Sequence, residues 1–222
     1  MIAKDLNVRP YADPYSTLAY GNVLKAFNDV GGFSAAGVTI DNLASQYGGK
    51  DFAAMPINRG GAGLVHDNGA GKWSDSTGGA VITTGDTKRI SAYALAGYLS
   101  MLIARQYGRV LALEWYQGET DGVDGATVTI TEYNAVLTEL FDQWRLVLPP
   151  IRIVVGLSDT PSSGFSNWDE IQDAHAAFSY ADTYYVSAEG LEFQVSEEYH
   201  LTGQGQYDLG VLVADKIIAI NQ

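Results

Sequence analysis

The sequence predicts an α/β fold built around a parallel sheet, and three observations predict it. Amphipathic helical stretches alternate with short apolar runs. The joints between them are brief and polar or glycine-rich, and the apolar runs are continuous, as in strands buried on both faces. With 222 residues, 46% of them hydrophobic, the chain can bury one sizeable core and has little left for a second, so residues 1–222 read as a single domain.

The helices come first. Ser34 to about Tyr47 places Val38, Ile40, Leu43 and Ala44 roughly on one face and stops at Gly48-Gly49, a favoured helix C-terminus. A longer helix is expected from about Lys88 to Tyr107. Another starts at the cap residue Thr131, lines up Tyr133, Val136, Leu137, Leu140, Phe141 and Trp144, and ends before Pro149-Pro150. Two more cover about Asn167 to Ser179 and Gly205 to Ile220. The strands are Phe52–Asn58, Arg109–Tyr116, Ile151–Leu157 and Thr183–Ala188, the first weakened by Pro56. Gly60–Gly79 and Gly118–Ala126 read as loops long enough to be functional.

Charge and composition exclude several classes. The 26 acidic and 13 basic residues leave a net charge of −13, which repels phosphate backbones and anionic headgroups, so neither nucleic acid nor membrane is an expected partner. No run of eighteen apolar residues occurs, and the first fifteen residues lack the hydrophobic stretch of a secretory signal. With no cysteine, disulfides and thiolate chemistry are out, and the compartment stays open. His66, His175 and His200 are scattered without metal-ligand spacing, and Gly69-Ala70-Gly71-Lys72 lacks the phosphate-loop pattern.

Ligands of open parallel sheets sit beyond the carboxyl ends of the strands, and three loops there converge on one rim. After the first strand comes Asn58-Arg59-Gly60-Gly61, whose glycines let backbone N–H groups approach an oxyanion. After the second comes Gln117-Gly118-Glu119-Thr120-Asp121, where the Gln117 amide is a second oxyanion donor and Glu119 could orient it or bind a substrate hydroxyl. Beyond the last lies Glu197-Glu198-Tyr199-His200-Leu201-Thr202-Gly203, with Glu197 one helical turn before His200, the arrangement of a carboxylate that orients an imidazole base. Each has a plainer reading, as a turn, a loop or a structural histidine, and they carry weight together. The carboxylates Glu114, Glu119 and Asp121 also invite a glycosidase, but the chain is short of the roughly 250 residues of the barrel that commonly presents such a glutamate.

Leu113-Glu114-Trp115-Tyr116-Gln117-Gly118-Glu119-Thr120-Asp121 resembles the W-x-Q-G-E-[ST]-[DN] block of the sialate O-acetylesterase and acetylxylan-esterase branch of the SGNH hydrolases. Ile57-Asn58-Arg59-Gly60-Gly61 is similar to that branch's glycine block, and Trp73 sits where the branch often has a tryptophan. Glu197 to Gly205 is similar to its closing D-x-x-H block, with glutamate in place of aspartate. The resemblance runs from about Phe33 to the C-terminus. It implies a three-layer α/β/α fold with a parallel, flavodoxin-like sheet and a serine hydrolase that removes acetyl groups from sugars or polysaccharides. Glu197 and His200 would be the catalytic acid and base, Gly61 and Gln117 the oxyanion hole, and Glu119 and Trp73 substrate or supporting residues. Water frees the acetate, so no metal or cofactor is needed. Related domains occur in secreted bacterial enzymes and bacteriophage tailspikes, an extracellular or virion-associated setting.

One block of the family is not visible. The family opens with a central strand running into G-D-S or G-Q-S-N, whose serine is the nucleophile, and this chain has no such motif. Its four strands leave a gap in the middle of the sheet, and backbone groups there demand a partner. Three explanations stay open: a strand and serine supplied by an additional N-terminal segment or chain; a degenerate block at Gly32–Gly37 with Ser34 as nucleophile; or a catalytically inactive carbohydrate-binding or structural module of the same fold.

Overall fold

The computed structural model describes residues 2–4, 35–48, 51–54, 61–73, 81–83, 89–161, 163–195 and 197–221. Its elements are β1 (Ile2–Lys4), α1 (Ala35–Gln46), β2 (Asp51–Ala53), β3 (Val81–Thr83), β4 (Arg89–Ser91), α2 (Ala92–Tyr107), β5 (Arg109–Val110), β6 (Ala112–Trp115) and α3 (Glu119–Gly122). There follow α4 (Ile130–Trp144), β7 (Ile151–Val155), α5 (Trp168–Ala177), β8 (Thr183–Val186), β9 (Phe193–Gln194), β10 (Glu197–Leu201) and α6 (Gly203–Ile220). No helix among the described residues is long and apolar enough to cross a membrane.

The parallel core of the sheet is β6-β7-β8, with Ala112 opposite Ile151 and Arg152 opposite Thr183. Alternate residues of a strand point to opposite faces, and the packing follows that rule. Ile151, Ile153 and Val155 bury against Ile40 and Leu43 of α1 and Leu209, Val213 and Ile217 of α6. Val154 and Trp115 bury on the other side, with Met101 of α2, Leu137 and Phe141 of α4 and Ile171 of α5. Two helical layers thus cover a central sheet, the α/β/α arrangement that the sequence predicts.

A separate three-stranded sheet is formed by β2, β1 and β5. β1 lies between β2 and β5, with Ile2 opposite both Ala53 and Val110, and runs antiparallel to each. β1 is three residues long and is not legible as a strand in the sequence. Three residues carry no periodicity from which to read it.

Other expectations shift in detail. The helix expected from Lys88 begins at Ala92, because Arg89–Ser91 pairs with Val81–Thr83 and the Ser91 side chain caps the helix by accepting from Ala94 N. Thr129, not Thr131, caps α4, its hydroxyl accepting from Glu132 N at 3.2 Å. The expected strand Phe52–Asn58 is Asp51–Ala53 where described, and its second half lies outside the described residues, as does Ser34. The segment carrying Glu197 and His200 is a strand and not a helical turn. It pairs antiparallel with β9 through an irregular register between Glu197 and Leu201. The helix starts only after His200, where the Thr202 hydroxyl accepts from Gly205 N at 3.1 Å.

Candidate active site

At the C-terminal end of β6 the chain passes through Tyr116 and Gln117 to Gly118, which has φ +150°. A Cβ there would sit 2.8 Å from Ile171 Cγ2 and 2.9 Å from His175 Cε1, so only glycine lets the strand turn this close to α5. The turn delivers Asp121 into the interior on the one-turn helix α3, in a region that the sequence marks as a loop.

Asp121 is fully buried and accepts four hydrogen bonds. Three come from successive backbone N–H groups, Leu64 at 2.7 Å, Val65 at 2.8 Å and His66 at 2.7 Å, and the fourth from Gln117 Nε2 at 2.8 Å. A buried carboxyl group survives only with such a donor set. It fixes the glycine-rich loop 61–73 against the β6 turn. Further ties hold the loop: Trp73 N donates to Gly63 O, Tyr93 Oη to Ala70 O, and Ser91 Oγ to Trp73 O. The half-buried Asp67 carboxyl receives Gly69 N and Gly71 N, and these backbone donors hold it below the usual carboxylate range.

Gln117 is buried and its amide is saturated. Nε2 donates to Asp121 and, at 3.3 Å, to Ala62 O; Oε1 accepts from Tyr133 Oη at 2.9 Å. Turning the amide over would set its oxygen against a carboxylate and a carbonyl, so this orientation is the satisfied one. Behind Tyr133 stands His175, fully buried, its Nε2 2.9 Å from the Tyr133 hydroxyl. Burial pushes the His175 pKa down to about 3, so the ring is neutral at physiological pH. Asp121 is the carboxyl group that holds the Gln117 amide, one of the two roles that the sequence left open for Glu119.

A cavity of about 540 Å³ opens between these loops, within the range of small-molecule sites. Gly61, Trp73, Gln117, Glu119 and His200 all line it, so five of the six residues singled out in the sequence meet in one place. Gly61 has φ +74° and turns the loop along the wall. His200 is exposed at the mouth, its ring 4.3 Å from that of Tyr199, which in turn sits 5.0 Å from Phe165. The sixth, Glu197, lies on β10 three residues before His200, and its backbone alone is described.

Trp73 belongs to the wall more than to the opening. It is buried to 6% exposure and packs edge-on against Trp115 at 5.4 Å and Trp144 at 6.3 Å, which leaves little face for a sugar ring. Trp115 is likewise core, whereas Tyr116 is half-buried and lines the cavity. Glu114 and Glu119 both line it too. Burial raises the pKa of each, with a hydrogen bond from its own backbone pulling Glu119 partly back. Phe165 and Tyr199, far apart in the chain, carried no signal in the sequence. Nor did the Tyr133–His175 pair behind Gln117, since Tyr133 reads simply as part of a helix stripe.

Residues 77–219, more than half of the chain, match the model of the family described as carbohydrate esterase, sialic acid-specific acetylesterase. The match includes Gln117, Glu119, Glu197 and His200 and leaves Gly61 and Trp73 outside. No curated protein sequence matches the chain. Among solved structures, a protein from Arabidopsis thaliana known from its X-ray structure superposes with a TM-score of 0.55 at 20% identity. The match covers 82% of this chain and 66% of that one, and at such identity the likeness shows the fold alone.

Proposed function

The chain belongs to the sialic acid-specific acetylesterase family of carbohydrate esterases, and from that premise we propose that it removes acetyl groups from sugars by serine-type acyl transfer with His200 as base. The observation that carries this reading is a cavity that gathers the His200 imidazole, the Gly61 loop and the Gln117 amide.

In the proposed reaction a serine hydroxyl gives its proton to His200 and attacks the acetyl carbonyl. Glu197, preceding His200 on the same strand, orients the imidazole in this reading. The tetrahedral oxyanion is met by backbone N–H groups at Gly61 and by Gln117 Nε2. The latter must exchange its long 3.3 Å bond to Ala62 O for the oxyanion, while the 2.8 Å bond to Asp121 holds it in place. His200 then gives the proton to the sugar oxygen as its bond to the acetyl carbon breaks, leaving an acetyl-serine; a water that loses its proton to His200 attacks this ester, and acetate leaves as the serine hydroxyl is restored. The nucleophile remains unassigned, with Ser34 the candidate within the chain.

Acetate release from p-nitrophenyl acetate and from acetylated xylan tests the reading. Turnover that falls on the order of 10²- to 10⁴-fold in His200→Ala supports it, and loss in Ser34→Ala would assign the nucleophile. Sugar binding without turnover would instead support the inactive carbohydrate-binding module.

A further inference from the structure

Behind the cavity wall, the buried side chains of Gln117, Tyr133 and His175 meet around one hydroxyl. Tyr133 Oη lies 2.9 Å from Gln117 Oε1, 3.0 Å from the Gln117 backbone oxygen and 2.9 Å from His175 Nε2. The hydroxyl has one hydrogen to give, and three neighbours among which to place it. Both Gln117 oxygens can only accept, the side-chain one because Nε2 of the same amide is committed to Asp121. If Tyr133 donated to His175, its lone pairs would face both of those oxygens at hydrogen-bond distance. The hydrogen therefore lies toward Gln117, shared between its two oxygens, and His175 Nε2 is the donor to Tyr133. Burial pushes the His175 pKa down to about 3, so the ring is neutral and its one N–H is the one on Nε2. Nδ1 is then a bare lone pair, and it has no partner among the described residues. An unpaired group in the interior costs stability, so what this histidine supplies, it supplies through Nε2.

We propose that His175 and Tyr133 are positioning residues that together hold the Gln117 amide as a fixed hydrogen-bond donor at the cavity. Donation runs from His175 Nε2 to Tyr133 Oη, from Tyr133 to Gln117 Oε1, and from Gln117 Nε2 to Asp121 Oδ2. Each link polarises the next toward the carboxylate. Because the Tyr133 hydroxyl bridges the backbone and side-chain oxygens of one residue, it fixes the Gln117 side chain over its own main chain. The His175 ring is seated in turn. It stands edge-on to Tyr133 with ring centroids 5.0 Å apart, and its Cε1 lies 2.9 Å from where a Cβ on Gly118 would be. α4 and α5 are thus both brought to bear on one amide. The Gln117 N–H on the long 3.3 Å bond to Ala62 O is the one that a ligand oxygen can take over while the rest stays in place. The inference rests on the esterase reading for that oxygen being an oxyanion, and on the hydrogen bonds alone for the amide being held. A donor that need not reorganise stabilises charge as it develops.

Three measurements on the full chain test it. In the wild type, long-range proton–nitrogen NMR of the histidine rings reads the tautomer at neutral pH. We expect the neutral Nε2–H form at His175, and the Nδ1–H form or an imidazolium overturns the inference. Tyr133→Phe removes one oxygen and keeps the ring, so the paired N–H resonances of the Gln117 side chain should move and broaden as the amide comes loose. An unchanged pair overturns the inference. Acetate release from p-nitrophenyl acetate then separates positioning from packing. Tyr133→Phe and His175→Leu should lower kcat about tenfold or more with KM within about twofold of wild type. His175→Gln, which keeps an N–H for Tyr133, should recover most of that loss. An unchanged kcat, a loss in KM instead, or equal losses in His175→Leu and His175→Gln overturns the inference. No acetate release by any form would sink the esterase reading, and the tautomer and the Gln117 resonances would then decide by themselves whether the amide is held.

Discussion

Asp121 does more to shape the candidate site than any residue proposed to touch substrate. Its two oxygens gather three consecutive N–H groups of residues 64–66 and the Gln117 amide, so the Gly61 loop and the β6 turn share one anchor. Asp121→Asn keeps the shape but replaces an acceptor with an NH₂ that faces donors. Each buried group left unpaired costs about 1–3 kcal/mol, so the variant is expected to lose about 3–5 kcal/mol of stability in urea unfolding, with faster hydrogen exchange across residues 61–73. An unchanged unfolding midpoint would show that the loop is held by its other ties. The final residue of the Gln117–Asp121 motif was visible in the sequence, but its partners were not. A carboxyl group that captures backbone N–H groups more than fifty residues away leaves no local pattern.

Helix pairing follows the same contrast between local and distant causes. α1 and α6 approach so closely that the Thr39 hydroxyl donates to the backbone oxygens of both Ala35 and Gly210, at 2.9 and 3.1 Å, and Ala35 N reaches Gln206 Oε1. A Cβ on Gly210 would lie 2.5 Å from both Ala35 O and Val38 Cβ. Gly210→Ala gains up to about 1 kcal/mol of helix propensity but must wedge the helices apart, and overpacking costs about 1–3 kcal/mol. A net loss of stability is therefore expected in thermal unfolding, and a raised Tm would mean that the pair has room to slide. The helix faces themselves were legible, because 3.6-residue periodicity over ten or more residues leaves little choice: α1 was expected at Ser34 to Tyr47 and is found at Ala35–Gln46. The strands β6, β7 and β8 were legible as continuous apolar runs. Short elements were not. Glu197-Glu198-Tyr199-His200 is too brief to separate a period of 3.6 from one of 2, and its pairing with β9 decided for the strand. The β3–β4 hairpin, three residues on each side, was lost for the same reason. Of the site, the motif residues were readable and their meeting in one cavity followed; the aromatic wall of Phe165 and Tyr199 depended on tertiary packing.

Across the whole molecule these buried groups set opposing dependences on pH. His175 is neutral in the fold, with its pKa down at about 3 from an ordinary 6.5, because burial disfavours the charged ring. The unfolded chain takes up this proton below about pH 6.5 and the native protein does not. The stabilising contribution of His175 is therefore complete above that pH and is lost as pH falls toward 3, at about 1.4 kcal/mol per unit. Glu114 and Glu119 act in the other direction. Their raised pKa values mean that the native state holds protons that the unfolded chain releases above about 4.5, so their contribution is present in acid and is lost as pH rises through the folded values. The net charge of −13 adds self-repulsion at neutral pH, which lessens as carboxylates are protonated. The separable part of this balance is His175. His175→Gln keeps an amide donor for Tyr133 and removes the titration, so wild-type stability should fall more steeply than the variant's between pH 5.5 and 4.5, by about 1.4 kcal/mol over that unit. Urea unfolding at the two pH values measures the difference. Parallel curves would mean that the ring takes up its proton inside the fold, and that the Tyr133–Gln117 chain tolerates a charged histidine behind it.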